Sequence, residues 1–137
     1  MTPEEHVKAV IRALEREDFK PLFDTISDDV VWKSAATAKG LFRFGGRYMG
    51  PEGLKEWESD ILTDYVIRSI NPKEIVAKDD VVWSLYWVDL LYRPTLAQLC
   101  FDCAVRWRFE GEKIVERQAF TDTATMMIRE QSGLLPK

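Results

Sequence analysis

The stretch FDCAVRWRFEGEKIVERQAFTD, residues 101–122, decides how this chain is read. Phe101 to Phe109 and Ile114 to Thr121 are dense in aromatic and β-branched residues and flank Glu110-Gly111-Glu112, the pattern of an antiparallel hairpin. The hairpin ends on Asp122. A carboxylate there can cap the following turn, or it can stand at the mouth of an apolar cavity, where poor solvation raises its pKa toward the range of proton transfer. Two registers are open. With Gly111-Glu112 as a two-residue turn, Phe109 pairs with Ile114, Asp122 joins Phe101, Cys103, Val105 and Trp107 on the apolar face, and Arg106 opposes Arg117. With Glu110 to Glu112 as a three-residue loop, Arg106 faces Glu116, while Arg117, Ala119 and Thr121 turn inward. Glycine placement favours the first register and charge pairing the second.

The strand before the hairpin, Val81 to Leu91, is apolar on both sides: Trp83, Leu85, Trp87 and Leu91 on one, Val82, Tyr86, Val88 and Leu90 on the other. An antiparallel sheet normally leaves one face wet. The expectation is therefore a homodimer through the outer sheet face, with Asp89 pointing outward to an arginine across the subunit boundary. Tyr65 to Ile70 precede this strand, with Glu74 to Ala77 as an extension past Pro72.

Helical signals occupy the N-terminal half. Thr2, Pro3 and Glu5 form a capping-box start, followed by an apolar stripe at Val7, Val10, Ile11 and Leu14. A short helix is expected over Phe19 to Thr25, then a strand at Val30-Val31-Trp32, a glycine-containing loop over Lys33 to Gly46, and a helix from Gly50-Pro51 that carries Leu54, Trp57 and Ile61 on one face. Helices first and strands after predict an α+β fold, with the helices covering one face of a curved sheet.

Composition bounds the function. The 137 residues, 46% of them hydrophobic, suit a single domain spanning 1–137. A net charge of −4 argues against nucleic acid, which calls for a concentrated basic face. The longest mostly apolar run is broken by Ser84 and Asp89 and falls short of the roughly 20 residues of a membrane helix, so no membrane partner is expected. Thr2-Pro3-Glu4-Glu5 lacks the cationic start of an export signal, and a cytoplasmic location is the expectation.

The chain resembles the nuclear transport factor 2-like superfamily, and within it the SnoaL-like and ketosteroid-isomerase-like proteins. The resemblance rests on Asp28-Asp29-Val30-Val31-Trp32 after the first helices and on Gly46-Arg47-Tyr48-Met49-Gly50-Pro51-Glu52-Gly53-Leu54 leading into a helix. It continues through Arg106-Trp107-Arg108-Phe109 and Lys113-Ile114-Val115, and closes on Phe120-Thr121-Asp122-Thr123. It implies a cone: a bent, mixed, mainly antiparallel sheet around a hydrophobic pocket closed by N-terminal helices, commonly dimeric. The implied activities are steroid isomerisation, polyketide ring closure and epoxide hydrolysis, by acid/base groups without a metal or cofactor; other members only bind ligands. The isomerase base falls near Ser34, the oxyanion-holding acid near Val105 and the epoxide hydrolase carboxylate near Ala119. The cyclase acid alone meets a matching type, at Asp122.

The candidate site therefore has Asp122 for proton transfer, with Tyr48 or Arg117 as polar partners. Trp32, Trp57, Tyr86 and Trp107 could stack on a small hydrophobic or aromatic ligand. Phe101 and Phe120 would wall the pocket around Asp122, with Ser34 and Val105 beside them. Arg43 and Arg47 lie near the expected entrance and could meet a carboxylate, solvated surface charge being their default role. Cys100 and Cys103, three apart in a strand, point to opposite faces and stand too far apart for a disulfide or a shared metal. His6 on the first helix reads as a surface or edge residue.

Overall fold

The computed structural model describes residues 1–36 and 42–132. Helix α1 (Pro3–Glu15) begins where expected: Thr2 Oγ1 accepts the Glu5 amide, and the Glu5 side chain reaches back to the Thr2 amide. Its stripe of Val7, Val10, Ile11 and Leu14 is buried. Next come α2 (Lys20–Thr25), β1 (Ile26–Lys33), β2 (Arg47–Met49) and α3 (Gly50–Asp64). Gly50 has a φ of +66°, and a Cβ there would lie 3.1 Å from the Asp28 carbonyl oxygen, so glycine lets α3 start hard against β1. The rest is β3 (Tyr65–Lys78), β4 (Val81–Tyr92), β5 (Ala97–Glu110), β6 (Lys113–Thr121) and a closing helix α4 (Thr123–Ser132).

The six strands form one sheet in the order β2-β1-β6-β5-β4-β3. Only β1 and β6 run parallel; the other neighbours are antiparallel, the mixed and mainly antiparallel sheet expected. Strand β3 runs continuously through Pro72 because it is an edge strand, where a missing amide costs no ladder bond, and it bulges between Pro72 and Glu74. A second bulge between Ile67 and Ser69 accompanies amides that turn to the end of α1 and the turn after it: Glu15 accepts from Ile70 and Glu17 from Ile67. The helices thus lie on the concave face of the sheet, with α1 against β3 and β4, α3 against β1 and α4 against β5.

The hairpin takes elements of both registers. Positive φ falls on Gly111 and not on Glu112, and Phe109 pairs with Ile114, which is the two-residue turn. A bulge then inserts Val115 between that pair and Arg108–Glu116. One extra residue flips the remainder of β6, so Arg117 pairs with Trp107, Ala119 with Val105 and Thr121 with Cys103 on the concave face. Neither expected partner stands opposite Arg106, which faces Gln118 while Arg108 faces Glu116; Arg106 Nη1 still donates to Glu116 Oε1 on the diagonal at 2.9 Å.

Strand β2 and the length of α4 go beyond the sequence-based expectation. Asp89 does point outward, but its neighbours are in its own chain, Arg68 at 3.9 Å and Gln98 at 3.4 Å. His6 is half-buried, stacked on Phe109 and 3.4 Å from Glu112. Cys100 is half-buried on the outer side of β5, and Cys103 is buried on the inner side.

Candidate functional site

Between the helices and the concave face lies a cavity of about 100 Å³. That is room for a small molecule, on the scale of the roughly 150 Å³ that accepts benzene in an apolar core. Its walls come from every layer: Leu14 of α1, Trp57 of α3, Ile70 of β3, Val88 of β4, Phe101 of β5, and Met126 of α4, which closes one side. A wider opening of about 480 Å³ adjoins it and shares Ser34, Ala35, Ala119 and Thr121 with it; Lys33 and Arg47 border that opening.

Most polar groups of the cavity cluster around Arg117 on β6 and its neighbours; the Tyr65 hydroxyl, on β3, bonds Glu130. Arg117, only 8% exposed, lines the cavity. The Arg117 guanidinium carbon sits 4.6, 5.4 and 5.9 Å from the ring centres of Trp32, Trp57 and Trp107, an indole cage built from β1, α3 and β5. Nη1 donates to the Lys33 carbonyl at 3.3 Å, and Nε has no acceptor. No acidic side chain pairs with it among the described residues. Burial pulls its pKa down, partly offset by the neighbouring Tyr86 and Cys103, but a guanidinium stays charged in a protein.

Around it, burial pushes the Tyr86 phenol up, opposed by hydrogen bonds with Ser84 and Arg117. Burial likewise raises the Cys103 thiol to about 11, with Arg117 pulling the other way, so both are neutral at pH 7. Ser34 Oγ accepts from Trp57 Nε1 at 3.0 Å, while Thr121 Oγ1 is buried without a partner. Among the described residues no aspartate or glutamate lines the cavity. The site is a greasy pocket holding one unpaired cation and neutral donors.

A SnoaL-like domain model matches residues 7–117, most of the chain, from within α1 to the middle of β6. The chain belongs to the SnoaL-like family. Solved structures of the same fold align along nearly its whole length. One is a nuclear transport factor 2-like protein of unknown function from Burkholderia pseudomallei, 19% identical, covering 93% of this chain and 97% of that one with a TM-score of 0.84. Another is TerC, co-crystallised with polyporic acid, 20% identical over 96% of this chain and all of its own, TM-score 0.84. A third is a provisionally named isomerase from Rhodopseudomonas palustris, 19% identical over 93% of each chain, TM-score 0.77. No curated protein sequence matches.

Set in this SnoaL-like cone, the expected site residues separate into three groups. Arg117, Ser34, Trp57, Tyr86 and Phe101 line the cavity together. Trp32, Val105 and Trp107 lie behind that wall in the core; Trp107 Nε1 donates to Ser84 Oγ at 2.9 Å, and Trp32 Nε1 has no acceptor. The remaining three stand elsewhere. Asp122 is exposed and caps α4, accepting the Thr125 amide at 3.0 Å and the Thr125 hydroxyl at 2.7 Å, bonds that hold its carboxyl below the usual range. Tyr48 is buried outside the cavity, its hydroxyl donating to Asp60 at 2.9 Å, and burial followed by that bond drives its pKa up. Phe120 is 48% exposed and stacks on Trp83 on the convex side, because the Val115 bulge turns it out.

Of the positions that the resemblance aligns with catalytic acids, Ser34 and Ala119 do face the cavity, as a hydroxyl and a methyl. Arg43 is not free at the entrance: its Nε bonds Asp64 at 3.0 Å. Cys103 and Thr121, read on the inner face (Thr121 only in the second register) but not named as site residues, line the cavity, as do the helix residues Leu14 and Met126, which were not expected there. Alternation along β5 and β6 is the signal for the first two; the helix residues read only as core.

Proposed function

We propose that this protein holds a small, largely apolar molecule inside the cone. The observation that supports this is the cavity itself: apolar walls supplied by every layer, with Arg117, Ser34, Tyr86, Cys103 and Thr121 as polar groups among them. Burying a ring-sized guest in such a space releases about 25 cal/mol per Å² of apolar surface. The relative co-crystallised with polyporic acid is consistent with a cone that takes up organic molecules. Trp57 forms part of the wall, so tryptophan fluorescence should change saturably when a single-ring aromatic compound is titrated in. Ala119→Phe should fill the cavity and abolish the change while the protein stays folded. Binding that survives Ala119→Phe undiminished would place the ligand elsewhere.

A second reading, metal-free isomerase or cyclase chemistry, is favoured by the meeting of Tyr86 and Arg117, two donors able to stabilise charge on a bound carbonyl oxygen. Asp122 has no part in it. Loss of turnover in Tyr86→Phe, with full turnover in Asp122→Asn, is the pattern this reading expects.

The same proposal extends to a second copy of the chain on the convex face. Val76, Trp83, Trp87 and Phe120 are all exposed there, more apolar surface than an isolated sheet face comfortably shows to water. Sedimentation velocity should give a dimer for the wild type and a monomer for Trp83→Glu.

A further inference from the structure

The unpaired cation inside an apolar hollow has a consequence for what the hollow accepts. Taking a guanidinium out of water costs several kcal/mol, and proteins offset that cost with a carboxylate or leave the group at the surface. Here the offset is partial. Three indole faces, one main-chain carbonyl and the Tyr86 hydroxyl surround Arg117, and none of them carries a negative charge. Nε is left without an acceptor, and Thr121 Oγ1, which also borders the cavity, lacks a partner too. Both lie on the concave side of β6; the third unpartnered group, Trp32 Nε1, stands behind the cavity wall.

In a space walled by hydrocarbon, this charge acts through little screening, so its field on a guest is stronger than at the surface. An apolar body alone would fill the volume but leave the cation unanswered. A dianion would bring in a second charge with nothing to meet it. The approach carries the same sign: the wider opening that shares Ser34, Ala35, Ala119 and Thr121 with the cavity is bordered by Lys33 and Arg47. Lys33 is partly engaged, 3.4 Å from Glu116. The molecule as a whole is acidic, at −4, yet charges beyond roughly 8 Å are damped at physiological salt, so these nearby cations govern entry.

We propose that the cavity is selective for monoanions: a ring-sized apolar acid whose single carboxylate, or ionised enol or phenol oxygen, sits against Arg117 with Tyr86 and Thr121 as supporting hydroxyl groups. This deepens the small-molecule reading and rests on it. Arg117 is then a binding residue that sets charge preference, and the tryptophan cage orients it.

Three planar probes of one shape separate charge from size: benzoate, benzamide and benzamidine, carrying −1, 0 and +1. Each is titrated into the 137-residue chain at constant ionic strength and followed by tryptophan fluorescence and by chemical-shift changes at the cavity residues. The expected order is benzoate tightest, benzamide weaker by about 10-fold or more, and benzamidine without saturable binding. Ionised 4-nitrophenol, set against its neutral form by pH, tests the enolate-type head and should show the same sense of preference. In Arg117→Met, benzoate and benzamide should bind within about 2-fold of each other; Arg117→Lys should keep the order with a smaller gap, since ammonium lacks the planar fork.

Equal binding of benzoate and benzamide by the wild type would overturn the charge selectivity and leave the apolar pocket standing. Absence of binding by all probes at millimolar concentration would overturn both. The wild-type comparison decides the matter even if Arg117→Met does not fold. A role for Arg117 as a structural pillar alone predicts no dependence on probe charge.

Discussion

The two faces of the β4–β6 sheet are built from the same kinds of residue and treat them oppositely. On the concave side Trp107, Tyr86 and Arg117 are buried; on the convex side Trp83 and Phe120 are 45% and 48% exposed. Outside, cations meet acids: Arg106 lies 2.9 Å from Glu116, Lys33 3.4 Å from the same carboxylate, and Lys73 2.8 Å from Asp102. Partial burial pushes the Glu116 carboxyl up, but Lys33 and Arg106 outweigh it and hold the group below its ordinary range. Inside, Arg117 pairs with no acidic side chain among the described residues. The contrast teaches that charge on the convex face serves solvation and pairing, while charge on the concave face is left for something that enters.

The largest break in this comparison should come from its tryptophans. Trp107→Ala removes a fully buried ring, opens a void beside Trp32 and strips Ser84 of its indole donor, and should cost about 3–5 kcal/mol in urea unfolding. Trp83→Ala loses a half-exposed stack on Phe120 and should cost at most about 1 kcal/mol at concentrations where the chain is monomeric. Comparable losses from the two would mean that the convex face is packed as tightly as the concave one.

Next in size is the pair of arginines. Arg106→Met breaks a partly exposed ion pair and should lower stability by about 0.5 kcal/mol. Arg117→Met relieves a buried charge that no carboxylate balances, at the loss of its indole and carbonyl contacts. Unfolding of this variant should match the wild type or improve on it by about 1 kcal/mol. A loss above about 2 kcal/mol would show the cage to be full compensation, and the cavity would then have no outstanding demand for an anion.

How much of this was legible follows from the range of each interaction. The start of α1 could be read from Thr2, Pro3 and Glu5 because a cap is made within four residues. The strands could be read from period-2 alternation, and the fold from the order of elements. What the sequence left open was the facing of β6, since a single inserted residue, Val115, exchanges the inner and outer sets and no local signal marks it. That one step moved Arg117 inward, Phe120 outward and Asp122 off the pocket. Strand β2 has three residues and exists only through its pairing with β1. The cavity was the least legible feature, because a void is what remains between elements, and Leu14 or Met126 looks the same beside one as in a filled core.

The rim where the two faces meet offers a pH test. Tyr65, whose ring lines the cavity, donates to Glu130 of α4 at 2.7 Å. Burial, with Asp64 nearby, raises the Glu130 carboxyl above 4.5 despite that hydrogen bond. A carboxyl raised in the folded state is protonated there while already ionised in the unfolded chain, so stability falls as pH climbs from the unfolded value through the folded one. Glu130→Gln keeps an acceptor for Tyr65 without the charge. Its melting temperature should exceed that of the wild type at pH 7, and the difference should vanish near pH 4.

The smallest effect belongs to Asp122, and its smallness is informative. Its carboxylate caps α4 through Thr125, and asparagine caps nearly as well, so Asp122→Asn should leave probe binding at Arg117 and amide exchange in α4 unchanged at pH 7. Asp122→Ala should speed exchange of the Thr125 amide and its neighbours in the first turn of α4, again without altering the charge preference of the cavity. The bonds from Thr125 hold the folded pKa below the ordinary 3.8, so the contribution of the cap is present above that value and disappears as pH falls through the folded one. Exchange protection in α4 should therefore weaken in acid for the wild type and stay level over the same interval for Asp122→Asn. If Asp122→Asn instead abolished binding at neutral pH, the concave face would have to reach five residues beyond Arg117, and the division between the two faces would fail at the end of β6.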